Sequence, residues 1–181
     1  MAYYDDIYEH AADQYGLFTS TDAKRLGIPL VELGKLSKRG RLNRLGYGVY
    51  RIPHYVPTPL DQYADAVALV GHDAYIYGES VLAMLNLAPT NPSFITVASP
   101  RQIRKKLPPY YVVIRKRGGE PVLHEGIPSQ SVADAIRSCR TTMMSERLIA
   151  AVAEARRQGL LTEKEASALQ KEIEHGDENP Q

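Results

Sequence analysis

Lys35, Lys38 and Arg39 recur at three- and four-residue spacing, so on a helix they fall on a shared side. Cations placed this way reach phosphate oxygens, or O6 and N7 of guanine, when the helix lies in a DNA major groove. Arg41, Arg44 and Arg51 follow directly and flank the tripeptide Gly46-Tyr47-Gly48. A second block, Arg101, Arg104, Lys105, Lys106, Arg115, Lys116 and Arg117, brackets Pro108-Pro109-Tyr110-Tyr111. It offers an accessory surface for DNA or for an acidic partner. The plainer readings are a solvated loop and, for Arg115 to Arg117, protection of a strand edge.

Both blocks stand out against a neutral background. The chain has 181 residues and a formal net charge of +1. Residues 22–51 carry eight bases against Asp22 and Glu32, and residues 101–117 carry seven bases and no acid. Between them, residues 53–98 hold four acids and no Lys or Arg. A composition 44% hydrophobic and 24% charged is that of a soluble globular protein. The single cysteine rules out a disulfide scaffold. The start, MAYYDDIYEH, has neither a basic region nor an apolar stretch of a signal peptide, and no apolar run is long enough to span a bilayer. A cytoplasmic protein without a membrane segment is expected.

The elements that must position the first basic block are short. Ile7, Tyr8, Ala11, Ala12 and Tyr15 predict an amphipathic helix over 5–15, ending at Gly16. Hydroxyl residues 19–21 cap a brief helix over 22–26 that Gly27 closes. Pro29 suits the first turn of a third helix, which reaches Arg39 and stops at Gly40. There Leu30, Leu33 and Leu36 form the expected buried seam, opposite Val31, Glu32, Lys35, Lys38 and Arg39. Residues 41–45 and 49–52 then predict a β-hairpin around the glycine-flanked tip. Three short helices followed by a basic hairpin make a winged helix-turn-helix.

No catalytic constellation competes with this reading. Gly78-Glu79-Ser80 resembles half of a nucleotidyltransferase phosphate motif, but no D-x-D pair follows to hold a metal. It is not a nucleophile elbow either, because Leu82 stands where the second glycine belongs. Ser80 is read as a helix cap. The five histidines are scattered and form no metal-ligand spacing, so neither a metal nor another cofactor is expected. Cys139 is read as a packed side chain on a helix.

Past Pro53, Pro57 and Pro59, read as a linker over 53–58, the pattern changes to mixed strands and helices. Helices are predicted over 60–70, 80–87, from Ser131, over 145–158 and from Thr162 to Glu174, with strands near 74–77, 94–97 and 110–115. Residues 175–181 are read as a disordered tail.

Phe18-Thr19 to Gly27-Ile28, Leu36-Ser37-Lys38-Arg39-Gly40-Arg41-Leu42 and Gly48-Val49-Tyr50-Arg51 resemble the N-terminal winged helix of AbiEi-type antitoxins, regulators of type IV toxin-antitoxin systems. Tyr47 stands where that wing has a small or basic residue, and its phenol can still donate a hydrogen bond to phosphate. The resemblance continues in outline through residues 77–85, Ile95-Thr96-Val97-Ala98 and Gly126-Ile127-Pro128. It implies binding to double-stranded DNA of the protein's own promoter, carried on inverted repeats, and neutralisation of a nucleotidyltransferase-type toxin.

The expected architecture is therefore α+β, a winged helix-turn-helix over 1–52 followed by a mixed α+β domain over 59–174. DNA contacts are expected from Lys35, Lys38, Arg39, Arg41, Arg44, Tyr47 and Arg51, with no enzymatic activity. A regulator without a toxin, and a module whose winged helix docks another protein, remain alternatives.

Overall fold

The computed structural model describes residues 2–177 and shows an α+β protein that divides between Ala74 and Tyr75 into two compact units. In the first unit, helix α1 (Ala2–Ala12) turns through Tyr15 and Gly16, whose φ angles of 57° and 69° lie in the left-handed region, into strand β1 (Leu17–Thr19). A side chain at Gly16 would begin 2.7 Å from the Tyr55 ring, so this turn needs glycine for space as well as for φ. Helix α1 thus stops three residues before the predicted end at Tyr15, and β1, which the sequence did not show, ends on Thr19, one of the hydroxyl residues expected to cap the next helix.

Helix α2 (Ser20–Arg25) opens on a reciprocal capping box. Thr19 Oγ1 accepts from the Asp22 amide at 3.2 Å, and the Asp22 carboxylate accepts from the Thr19 amide at 2.9 Å. Helix α3 (Leu30–Lys38) follows and ends where Gly40, at φ 70°, lets the Arg41 amide donate back to the Leu36 carbonyl. Strands β2 (Asn43–Gly46) and β3 (Val49–Arg51) form the wing, and β1 joins its far side to give a sheet of order β1-β3-β2. Ile7, Ala11, Phe18, Ala23, Leu33, Leu36, Leu42 and Tyr50 close one core beneath these elements. Leu30, expected in that seam, is instead 45% exposed, because its direction along the first turn misses the side on which Leu33 and Leu36 pack.

Helix α4 (Asp61–Val70) belongs to this first unit, although the prolines before it read as a linker and the second domain was expected to begin at 59. Its Leu69 lies against Gly46 so closely that a Cβ there would come within 2.5 Å of Cδ2.

The second unit is built on a sheet of order β6-β5-β4-β8-β7, from β4 (Tyr75–Ile76), β5 (Ile95–Ser99), β6 (Tyr111–Arg115), β7 (Val122–His124) and β8 (Ile127–Ser129). Strand β4 pairs antiparallel with β5 and parallel with β8, while β6 runs parallel to β5 at one edge. The β7–β8 hairpin, turning at Glu125-Gly126 with positive φ at both, was not read from the sequence. Helices α5 (Glu79–Met84), α6 (Val132–Ser138), α7 (Ser145–Arg157) and α8 (Glu163–Asp177) supply the rest of the core, including Leu82, Ile136, Leu148 and Leu169. Ser131 caps α6 and the Thr162–Glu165 box caps α8, both as predicted. Residues 175–177 continue α8, and the remainder of the expected tail lies outside the described residues.

Candidate nucleic-acid interface

Helix α3 buries Leu33 and Leu36, which turns the opposite side outward. At about 100° per residue that outward side carries Val31, Gly34, Lys35 and Lys38, with Leu30 and Arg39 on its flanks. Lys38 and Arg39 are exposed, and their side chains have no hydrogen-bond or ion-pair partner among the described residues. Lys35 Nζ lies 2.7 Å from Glu32 Oε1, with the two side chains 53% and 28% exposed. A pair this open to water is worth about 0–1 kcal/mol, so the ammonium can exchange it for a phosphate.

The wing is tied to the helices at its tip. The Ser20 amide, the first of α2, donates to the Gly48 carbonyl at 2.8 Å, and Thr19 pairs with Val49 across β1 and β3. A Cβ at Gly48 would stand 2.6 Å from Ser20 Oγ, and the φ of 67° there also favours glycine. Tyr47, beside it, is 80% exposed. Arg44 is exposed on β2 and its Nε donates to the Gly46 carbonyl at 3.2 Å. Arg41 places its guanidinium 5.1 Å from the centre of the Tyr4 ring and keeps its exposure.

Arg51 differs from the other cations. Its NH1 and NH2 donate to both oxygens of Asp65 on α4, at 3.3 and 2.6 Å, and its Nε donates to the Tyr15 carbonyl at 3.2 Å. The Tyr55 ring lies 5.1 Å from the guanidinium carbon, and only 17% of the side chain is exposed. Burial pushes the Asp65 carboxyl above its ordinary range, against the downward pull of the Arg51 hydrogen bonds. Tyr55 donates to Asp61 at 2.9 Å, and its phenol is likewise pushed up by burial first and by that bond second. Arg51, expected at the DNA, is thus committed inside the unit. Sequence reasoning missed Asp65, Tyr55 and Ser20. The only trace of Asp65 was one carboxylate within a stretch otherwise apolar, Ala64 to Val70.

The second basic block lies in the other unit. Arg101, Arg104, Lys105 and Lys106 are exposed between β5 and β6, Arg115 ends β6, and Lys116 and Arg117 follow, all exposed. Lys116 Nζ stands 5.5 Å from the centre of the Tyr77 ring.

Ser80, from the tripeptide that resembles catalytic motifs, and Cys139 are both packed inside the second unit. Ser80 is buried, and its hydroxyl accepts from the Thr96 amide at 2.8 Å, fastening α5 to β5 instead of capping the helix. Cys139 is buried, and burial first, with Glu79 second, pushes its thiol up to about 11, away from the reactive thiolate. No group of three or more His, Cys, Asp or Glu among the described residues could hold a metal. No described helix is long and apolar enough to cross a membrane.

Residues 5–53 match the family model described as "Transcriptional regulator, AbiEi antitoxin", a family of regulators. The match begins within α1 and runs through the wing. No curated protein matches. Among solved structures, the chain is similar to the RV2827C protein from Mycobacterium tuberculosis at 16% identity and a TM-score of 0.41, over 94% of this chain and 81% of that one.

Proposed function

We propose that this protein is a DNA-binding antitoxin that represses its own promoter through the first unit and neutralises a nucleotidyltransferase-type toxin through the second. The observation that carries the DNA half is the outward face of α3, with Lys35, Lys38 and Arg39 exposed beside a wing locked to the same core. In this reading α3 enters a major groove, its cations meet phosphates and base edges, and Arg41, Arg44 and Tyr47 hold the neighbouring backbone. Occupancy of inverted repeats at the promoter then excludes polymerase. The antitoxin half rests on the family matched by residues 5–53 and on the resemblance of later segments to that family. The second basic block is an accessory surface for DNA or for an acidic partner.

Fluorescence anisotropy with DNA from upstream of the gene, against a scrambled duplex, tests the proposal. With five cations per protomer at phosphates, log affinity should fall with log salt at a slope of about −4 to −5 per protomer. Reversal of Lys35 and Lys38 to Glu should abolish the preference for upstream DNA while circular dichroism stays native. A folded double variant that still prefers upstream DNA would remove α3 from the interface. Growth rescue on co-expression with a nucleotidyltransferase toxin encoded beside it, where one is found, tests the second half.

A further inference from the structure

The outward face of α3 is not uniformly basic. Its N-terminal end is apolar, with Val31 62% and Leu30 45% exposed. One turn on, Gly34 lies on the same face in ordinary helical conformation, and a Cβ added there would meet nothing within 4 Å. Packing inside the protein therefore gives no reason for glycine, and glycine weakens a helix interior relative to alanine. The reason left is close approach of another body to the helix backbone. Lys35 and Lys38, on that face, give the body's charge as negative.

Within a major groove, the one apolar group on a base edge is the C5-methyl of thymine. Leu and Val set against guanine O6 or cytosine N4 would desolvate polar atoms and return no hydrogen bond. Recognition helices meet base edges chiefly through their N-terminal residues, which is where Leu30 and Val31 stand. We infer that the N-terminal half of α3 reads thymine, with Val31 against C5-methyl groups, Leu30 beside it, and Gly34 allowing the helix to descend to them. This rests on the DNA-binding reading and adds the base that is read.

The test uses the full chain and four duplexes, the upstream and scrambled sequences each synthesised with thymine or with uracil. Uracil pairs as thymine does and lacks only the methyl. The wild-type protein should bind the uracil form of the upstream duplex about fourfold to fifteenfold more weakly than the thymine form, the scale of one or two buried methyl contacts. The two scrambled duplexes should bind alike. In Val31→Ser, a change at an exposed position that leaves the core intact, the thymine-to-uracil ratio should fall to near one. Gly34→Ala should melt at a higher temperature and bind the upstream duplex more weakly. Equal affinity of the wild type for thymine and uracil forms, with upstream DNA still preferred, overturns thymine reading and leaves DNA binding intact. Full affinity in Gly34→Ala overturns the close approach. No preference for upstream over scrambled DNA overturns both the inference and the function beneath it.

Discussion

Arg51 shows how far a side chain's role depends on what the fold brings to it. As a residue type at the end of a basic hairpin it belongs with Arg41 and Arg44, yet three of its donors, one from each nitrogen, are directed at Asp65 and the Tyr15 carbonyl under the Tyr55 ring. A lysine would keep the charge and lose the fork that grips both carboxylate oxygens. Arg51→Lys should therefore lower stability by about 1–3 kcal/mol, between the worth of an exposed pair and the cost of breaking a buried one. The salt slope of DNA binding should not change, since no phosphate contact is lost. Urea denaturation and salt titration of one preparation read both quantities, and an unchanged urea midpoint would show the paired fork to be dispensable. Leu30 is the opposite case. Its apolar type suggested burial, and only the packing direction of Leu33 and Leu36 shows that it faces outward.

At the scale of elements, Thr19 serves two at once, as the last residue of β1 and the N-cap of α2. Its side chain answers the Asp22 amide, while its neighbour Ser20 holds the wing tip through Gly48. Thr19→Ala should cost about 1 kcal/mol, the usual worth of such a cap, read as a lower melting temperature. An unaltered melt would mean that β1 pairing alone sets the start of α2. The helices α2, α3, α6 and α8 were legible because their signals are local, a capping hydroxyl, a proline, a closing glycine. The wing was legible for the same reason. Strand β1 was not, because its partner β3 lies some thirty residues later and three residues carry no period of their own. The β7–β8 hairpin turns through Glu125 and Gly126 between strands of three residues, too short for alternation to show. Ser80 was misread because a serine one residue inside a short helix looks the same in sequence whether it caps that helix or reaches a strand.

For the whole molecule, the boundary between units is the largest difference from the sequence reading. Pro53, Pro57 and Pro59 punctuate the chain as a linker would, but the contacts that close the first unit come from beyond them, Asp65 to Arg51, Asp61 to Tyr55 and Leu69 against Gly46. A fragment of residues 1–74 should accordingly unfold cooperatively in urea and keep upstream DNA binding, whereas residues 1–58, missing α4, should be markedly less stable. Equal midpoints for the two fragments would return the boundary to the prolines. The sheet of the second unit has a different consequence, one of timing. Strand β4 is held between β5 and β8, and its Ile76 pairs with Ser129, about fifty residues further along the chain. At roughly 5–20 residues per second of synthesis, β4 waits several seconds on the ribosome for that neighbour. The first unit, whose pairings all close by Ala74, has its fold and its cationic helix complete within that interval. A nascent chain can therefore present the finished cationic face of α3 before the sheet of the second unit has been made.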